Sequence, residues 1–420
     1  MKIHTLISFF ILASFLQVGN VFSQDIIEDT ASMGPGAMNM VFYSLENGTT
    51  STVDQSSWDI AFDVTSMMST TIRVNGGMGS QLYLLGGLET WDSLGTVDVD
   101  TLEIYYNDQT NWGLGAYSQN GDNMFNVGWG VYDVVTHIIN GDKVYILKLA
   151  DGSLKKTKLV SLENDIYTFV YANLDGSEET EVLVDKNAYT NKNFVYYNFN
   201  SNEILDLEPE NSEWDVVFCK YVENLGGGVY YPVTGALSNN NISVQKTEGL
   251  SDPYLNGTFD NDLMSTITNS IGYDWKSYNM DAGVYELAND RCYFVSTNNG
   301  SVWRLVFTLF GGNATGDIGM GIVLEQGSSI DENELVTTLE NNVSVYPNPT
   351  LRGGDVTIDV DLTENYTVAI YNSLGAIVTP VMNLNNANKI IFNVSDLHSG
   401  FYIIDVTINS ERVRKQLIIQ

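Results

Sequence analysis

The chain has 420 residues, with 52 acidic against 19 basic side chains and a formal charge of −33. That excess repels polyphosphates and anionic lipid surfaces, which excludes nucleic acid as a natural partner. A composition 44% hydrophobic and 11% aromatic is that of a folded chain, and acidity on this scale keeps an exported protein soluble.

Residues 1–23, "MKIHTLISFFILASFLQVGNVFS", place a Lys before an apolar run and end on small residues at a cleavage site. They read as a secretory signal peptide. The apolar core, Leu6 to Leu16, is too short to anchor the chain in a bilayer, and no later stretch predicts a transmembrane helix. No Cys follows the cut, so lipidation there is not expected, and an exported, soluble protein is.

From residue 24 onward the pattern is β throughout. "KVYILKL" (143–149), "DIYTFVYANL" (165–174), "RCYFVST" (291–297) and "VWRLVFTLF" (302–310) are rich in Val, Ile, Tyr and Phe and bounded by Gly, Asn and Asp. In the last, Trp303, Leu305, Phe307 and Leu309 alternate with Val302, Arg304, Val306 and Thr308, the period of a strand with one buried face. Helices are expected only as short pieces.

Landmarks recur in order. "WDIAF" from Trp58 answers to "WDVVF" from Trp214, "GWGVY" around Trp129 to "DWKSY" around Trp275, and the Asp151-Gly152 turn to Asn299-Gly300. The offsets are 156, 146 and 148, close enough to predict two homologous β domains, 24–185 and 186–327. Asp-Gly and Asn-Gly populate positive φ at little cost and so close hairpins. Trp58 and Phe62, an even number apart, are expected on one side of a strand, with Asp59 facing polar or hydrogen-bonded surroundings; Trp214, Phe218 and Asp215 repeat the arrangement.

The two cysteines, Cys219 and Cys292, allow one disulfide in an exported protein or two isolated buried thiols. Neither sits in a CxxC motif, and no metal site is expected. Residues 328–341 are polar and acidic, a linker. A third unit, 342–420, shows the short strands and regular turns of a small β-sandwich.

This third unit closely resembles the C-terminal sorting domain of the bacterial type IX secretion system. The likeness rests on Tyr346-Pro347-Asn348-Pro349-Thr350, "VAIYNSLGAIV" (368–378), "LHSGFY" with Gly400, and "RVRKQLII" (412–419). It implies export across the outer membrane of a Bacteroidetes-type bacterium by the type IX machinery, with release or attachment at the cell surface. Arg412, Arg414 and Lys415 form a positive cluster that suits recognition by that machinery or a solvated strand face.

The paired domains resemble the HmuY family, all-β extracellular proteins whose best-known members bind haem. The likeness lies in the two WDxxF segments, "IRVNGG" (72–77), "KVYILKLADGSLKKTKL", "YTFVY" (167–171), "YPVTG" (231–235) and "DWKSYNMDAGVYELANDRCYFVSTNNGSVWRLVF". The family's axial ligands, His or Met from two loops, imply Met280, five residues after Trp275, and His137 as the alternative in the first copy. Tyr105 or Tyr106, or Met264 or Met124, stand near the other ligand position. Met67 and Met68 belong to a thioether excess in the first third, which suits either an apolar pocket or packing. The resemblance implies haem or another planar apolar ligand, with a haem-type outer-membrane receptor as a partner. A surface or adhesion protein that keeps the fold without haem is the alternative. Between the signal peptide and the third unit there is one His and no paired acid and base in a recognisable motif, so enzymatic activity is not expected.

Overall fold

The computed structural model describes residues 26–92, 97–122, 125–327, 343–360, 366–372, 377–379, 382–384, 389–408 and 411–420. The signal peptide, the linker and Met124 lie outside the described residues. The chain divides into a unit ending at Gly327 and a unit beginning at Ser328.

The first unit opens with β1 (Ile27–Ser32), β2 (Asn39–Ser44) and β3 (Gly48–Asp54). Next come β4 (Ile60–Asp63), β5 (Ile72–Val74), β6 (Gln81–Gly87), β7 (Ile104–Tyr105), β8 (Gly130–Tyr132) and β9 (Ile139–Gly141). The long strands β10 (Lys143–Lys148), β11 (Leu154–Glu163) and β12 (Ile166–Asn173), with β13 (Thr180–Asp185), complete the first repeat. The second repeat starts with β14 (Phe194–Asn198) and β15 (Glu203–Leu205), then β16 (Val216–Asn224), β17 (Tyr230–Ser238) and β18 (Ser243–Thr247). It ends with β19 (Lys276–Asn279), β20 (Val284–Leu287), β21 (Cys292–Ser296), β22 (Val302–Phe310) and β23 (Asp317–Gln326). The fold is all-β and antiparallel, as the alternation predicts; the α-helix among the described residues is the single turn Gly312–Thr315.

The sheet orders expose a reciprocal exchange between the repeats. One outer sheet runs β13-β12-β11-β10-β6-β7, with β8 and β9 joined to β11; the other runs β1-β23-β22-β21-β18. Two inner sheets run β15-β14-β4-β5 and β3-β2-β16-β17. Thus β14 and β15 of the second repeat complete the body of the first, and β1 to β3 complete the body of the second. The bodies are therefore not the successive stretches 24–185 and 186–327 that the repeats lead one to expect, because each is closed by strands from the other repeat.

The sheets pack in four layers. Phe62, Val195, Tyr167 and Trp129 share one core, and Phe218, Val41, Tyr293 and Trp275 share its counterpart. The opposite faces of the inner sheets meet in a third core containing Phe42, Trp58, Ala61, Tyr196, Trp214, Val217 and Cys219. The central strand β4 is consequently buried at every position. Trp58 lies in this middle core while Phe62 lies in the first body, so the expected common side is corrected. The chain makes a 3-10 turn at Gln55–Ser57 and β4 begins only at Ile60, so strict alternation does not extend back to Trp58.

The two thiols are free and buried. Cys219 sits in the middle core and Cys292 in a separate cluster with Phe294 and Val306, so the disulfide alternative is corrected to two isolated thiols.

The second unit is a sandwich of β24 (Val343–Tyr346), β25 (Asp355–Val360) and β28 (Lys389–Asn393) against β27 (Met382–Leu384), β26 (Tyr366–Asn372), β29 (Gly400–Ile408) and β30 (Glu411–Ile419). Its own core includes Val356, Ile358, Val368, Ile404 and Leu417.

Candidate functional site

The β8–β9 hairpin carries His137 at its tip. The turn is set by Asp133, whose Oδ1 accepts the amides of Val135 (2.7 Å) and Thr136 (3.3 Å) while its carbonyl accepts that of His137 at 2.8 Å. These amide hydrogen bonds hold the Asp133 carboxyl below its usual range. His137 adopts φ +63°, a left-handed conformation that turns its side chain back along the hairpin. Its Nδ1 lies 2.7 Å from Tyr132 Oη, and Tyr132 stacks on Phe125. With Nδ1 engaged, Nε2 has no protein partner among the described residues and is the nitrogen available to a ligand.

Opposite stands the loop bearing Met67 and Met68, which are 74% and 80% exposed. It is pinned from below. The amide and hydroxyl of Thr65 donate to Asp63 Oδ1, at 2.9 and 2.6 Å, and Tyr167 Oη donates to the Ser69 carbonyl at 3.0 Å. The buried Lys186 ammonium donates to the Ser66 and Ser69 carbonyls, and burial lowers its pKa. Trp129, fully buried, donates from Nε1 to the Thr70 carbonyl at 2.9 Å. Lys186 belongs to the second repeat, so the strand exchange itself fixes this loop.

Met67, Met68 and His137 line one cleft of about 610 Å3, walled by Leu114, Val127, Ile139 and Leu162. The volume is that of a small-molecule or cofactor site, and the walls mix these apolar side chains with polar ones such as Asn126, Asn164 and Asp165. The donor set, an imidazole nitrogen with two nearby thioethers, suits haem iron.

Met280 occupies the corresponding hairpin, β19–β20, but is 82% exposed at its tip and does not line this cleft. Asn279 Oδ1 caps that turn by accepting the amides of Asp281 and Ala282, both at 3.0 Å. Tyr105 is buried with Oη accepting from Asn120 at 2.9 Å, and Tyr106 stacks on Tyr230 with ring centres 3.8 Å apart. The structure therefore brings His137 together with Met67 and Met68 and leaves Met280 apart.

In the second unit, Asn348 Nδ2 donates to the Gln416 carbonyl at 2.6 Å and its Oδ1 accepts the Ile418 amide at 2.9 Å, which fastens the YPNP segment to the last strand. Tyr346 Oη donates to Asp359 at 3.1 Å, and both Pro347 and Pro349 follow cis peptide bonds. Gly400 opens β29 opposite Ile419. Arg414 pairs with the buried Asp405 at 3.2 Å, Lys415 is half-buried on the same strand, and the Arg412 side chain is not among those described.

Residues 344–420 match the family profile described as "Secretion system C-terminal sorting domain". An ulvan lyase of Nonlabens ulvanivorans is 35% identical over 91 residues, which is 22% of this chain and 16% of the lyase. Among solved structures, a polysaccharide lyase aligns over 94% of this chain and 46% of its own, at 10% identity and a TM-score of 0.16. A fungal alcohol oxidase in complex with copper aligns over 68% of this chain and 95% of its own, at 8% identity and 0.15. The expectation that the chain is not an enzyme is corrected here, because the curated relative is a lyase; a non-catalytic role is not assigned. The C-terminal unit is a type IX secretion sorting domain, which implies handling by that machinery and delivery to the cell surface or outer membrane, and no described helix is long and apolar enough to cross a membrane.

Proposed function

We propose that the unit ending at Gly327 binds haem or another planar, largely apolar ligand in the cleft between the His137 hairpin and the Met67–Met68 loop. A haem-type outer-membrane receptor is the partner this reading expects. The observation that carries it is the convergence of an imidazole with an otherwise unengaged Nε2 and two exposed thioethers on one cleft of about 610 Å3. Exposed Met side chains cost little when an apolar ligand covers them, and thioether sulfur is a soft ligand. The likeness to the HmuY family supports the same ligand class. Titrating haem into the mature protein tests it: a saturable, shifted Soret band at one equivalent is expected, and no shift in either redox state overturns the reading.

A further inference from the structure

Tyr132, on β8, meets His137 at the tip of the same hairpin, and both line the cleft. Tyr132 pairs with Ile139 of β9, its amide donates to the Phe125 carbonyl at 2.6 Å, and its ring stacks on Phe125 with centres 6.5 Å apart. The phenol is therefore placed by a strand pairing and a ring contact that do not involve the imidazole. The imidazole is placed differently. It stands exposed on a turn at φ +63°, and the 2.7 Å contact of Nδ1 with Tyr132 Oη is its one hydrogen bond among the described residues. Asp133 spends its Oδ1 on the amides of Val135 and Thr136. The orientation of the ring thus depends on the Tyr132 hydroxyl.

That contact also decides where the imidazole keeps its proton. A neutral imidazole has one N–H, and the other nitrogen carries the lone pair that a metal can take. A phenol hydroxyl can donate to Nδ1 or accept from it. If Tyr132 donates, the Nδ1 lone pair is spent and Nε2 holds the proton. If Tyr132 accepts, Nδ1 is the protonated nitrogen and Nε2 keeps its lone pair. Only the second arrangement makes His137 a donor through Nε2. Tyr132 Oη has no other partner among the described residues, and the side chain is half-buried at the cleft wall, so its own proton is free to go to water.

We propose that Tyr132 is the positioning residue of this site: its hydroxyl accepts from Nδ1–H, which holds the His137 ring in one orientation and leaves Nε2 unprotonated toward haem iron. This rests on the assignment of His137 as the donor to that iron. Tyr132→Phe removes the hydroxyl and keeps a ring on Phe125. After signal-peptide removal His137 and His398 are the histidines of the chain, so nitrogen-15 NMR of the haem-free protein at about pH 8, above the ordinary imidazole range, reads the His137 proton directly. Nδ1 is expected to carry it in the unaltered protein, with the signals of Tyr132→Phe moving toward the two-tautomer average of a free ring. Haem titration is expected to show the variant binding about tenfold more weakly, and its bound haem a more positive reduction midpoint, because a ring without an acceptor at Nδ1 is a poorer donor to oxidised iron. A proton on Nε2 in the unaltered haem-free protein, a tautomer ratio unmoved by Tyr132→Phe, or equal haem affinity and midpoint in the two proteins would overturn the proposal. Should the unaltered protein leave the Soret band unshifted, the cleft assignment falls, and the nitrogen spectra alone decide whether Tyr132 sets the ring. Should Tyr132→Phe fail to fold, the tautomer of the unaltered protein decides.

Discussion

The carboxylate of Asp215 accepts the amide of Leu45 at 2.8 Å, across 170 positions of sequence. Asp59 accepts the amide of Phe199 in the same way at 2.9 Å. In each case the Asp of a WDxxF segment latches the strand that the other repeat contributes. The adjoining backbone agrees, since the Asp59 and Asp215 amides donate to the Tyr197 and Tyr43 carbonyls. Replacing either Asp with Ala leaves a buried amide unpaired and costs about 1–3 kcal/mol. Urea unfolding of Asp59→Ala and Asp215→Ala checks this, and a loss below about 0.5 kcal/mol in both contradicts the latch.

Stability falls as pH rises through the range in which the buried carboxyls ionise. Burial raises Glu208 to about 8 and Asp215 to about 6. The folded state thus holds these protons more firmly than the unfolded chain does. Their contribution is fully present below about pH 4 and is lost upward, by about 6 for Asp215 and about 8 for Glu208. Glu208 contributes on the order of a few kcal/mol across that span. Melting curves from pH 5 to 7 are expected to show a declining Tm, with the decline above pH 6 flattened by Glu208→Gln; above about pH 7 the buried Lys276, lowered to about 7, works in the opposite sense.

Cys219 and Cys292 belong to different cores and stay reduced. Thiol titration of the native protein is expected to find neither group reactive, because burial raises both above the range in which thiolate forms. After unfolding, two thiols react without a reducing agent.

Met280→Ala is expected to leave ligand spectra unchanged, since this side chain stands 82% exposed at a hairpin tip away from the cleft. Met67→Leu and Met68→Leu together keep the apolar cover but remove both sulfurs. They are expected to alter the reduced-state spectrum while leaving stability within about 0.5 kcal/mol, as exposed substitutions do.

The strands and the sorting unit were legible because each has a local signature: alternation in "VWRLVFTLF" and the YPNP segment. The exchange of strands was not. WDxxF marks the strand that receives a partner, yet nothing local says that "NMVFYS" pairs with "VVFCKYVEN" rather than with its own repeat. The 3-10 turn before Ile60 likewise separates Trp58 from Phe62 where simple alternation joins them. His137 was visible as a lone imidazole, and Met67 and Met68 as a local excess. Their convergence depends on Lys186 and Trp129 holding a loop about 70 positions away, a tertiary relation that counting along the second copy to Met280 could not supply.

Haem binding at the His137 cleft stands or falls on a titration of the mature protein and its His137→Ala variant side by side. A saturable, shifted Soret band at one equivalent is expected in the unaltered protein, with loss of that band and at least tenfold weaker binding in the variant. An identical spectrum and affinity in a folded His137→Ala variant would contradict it.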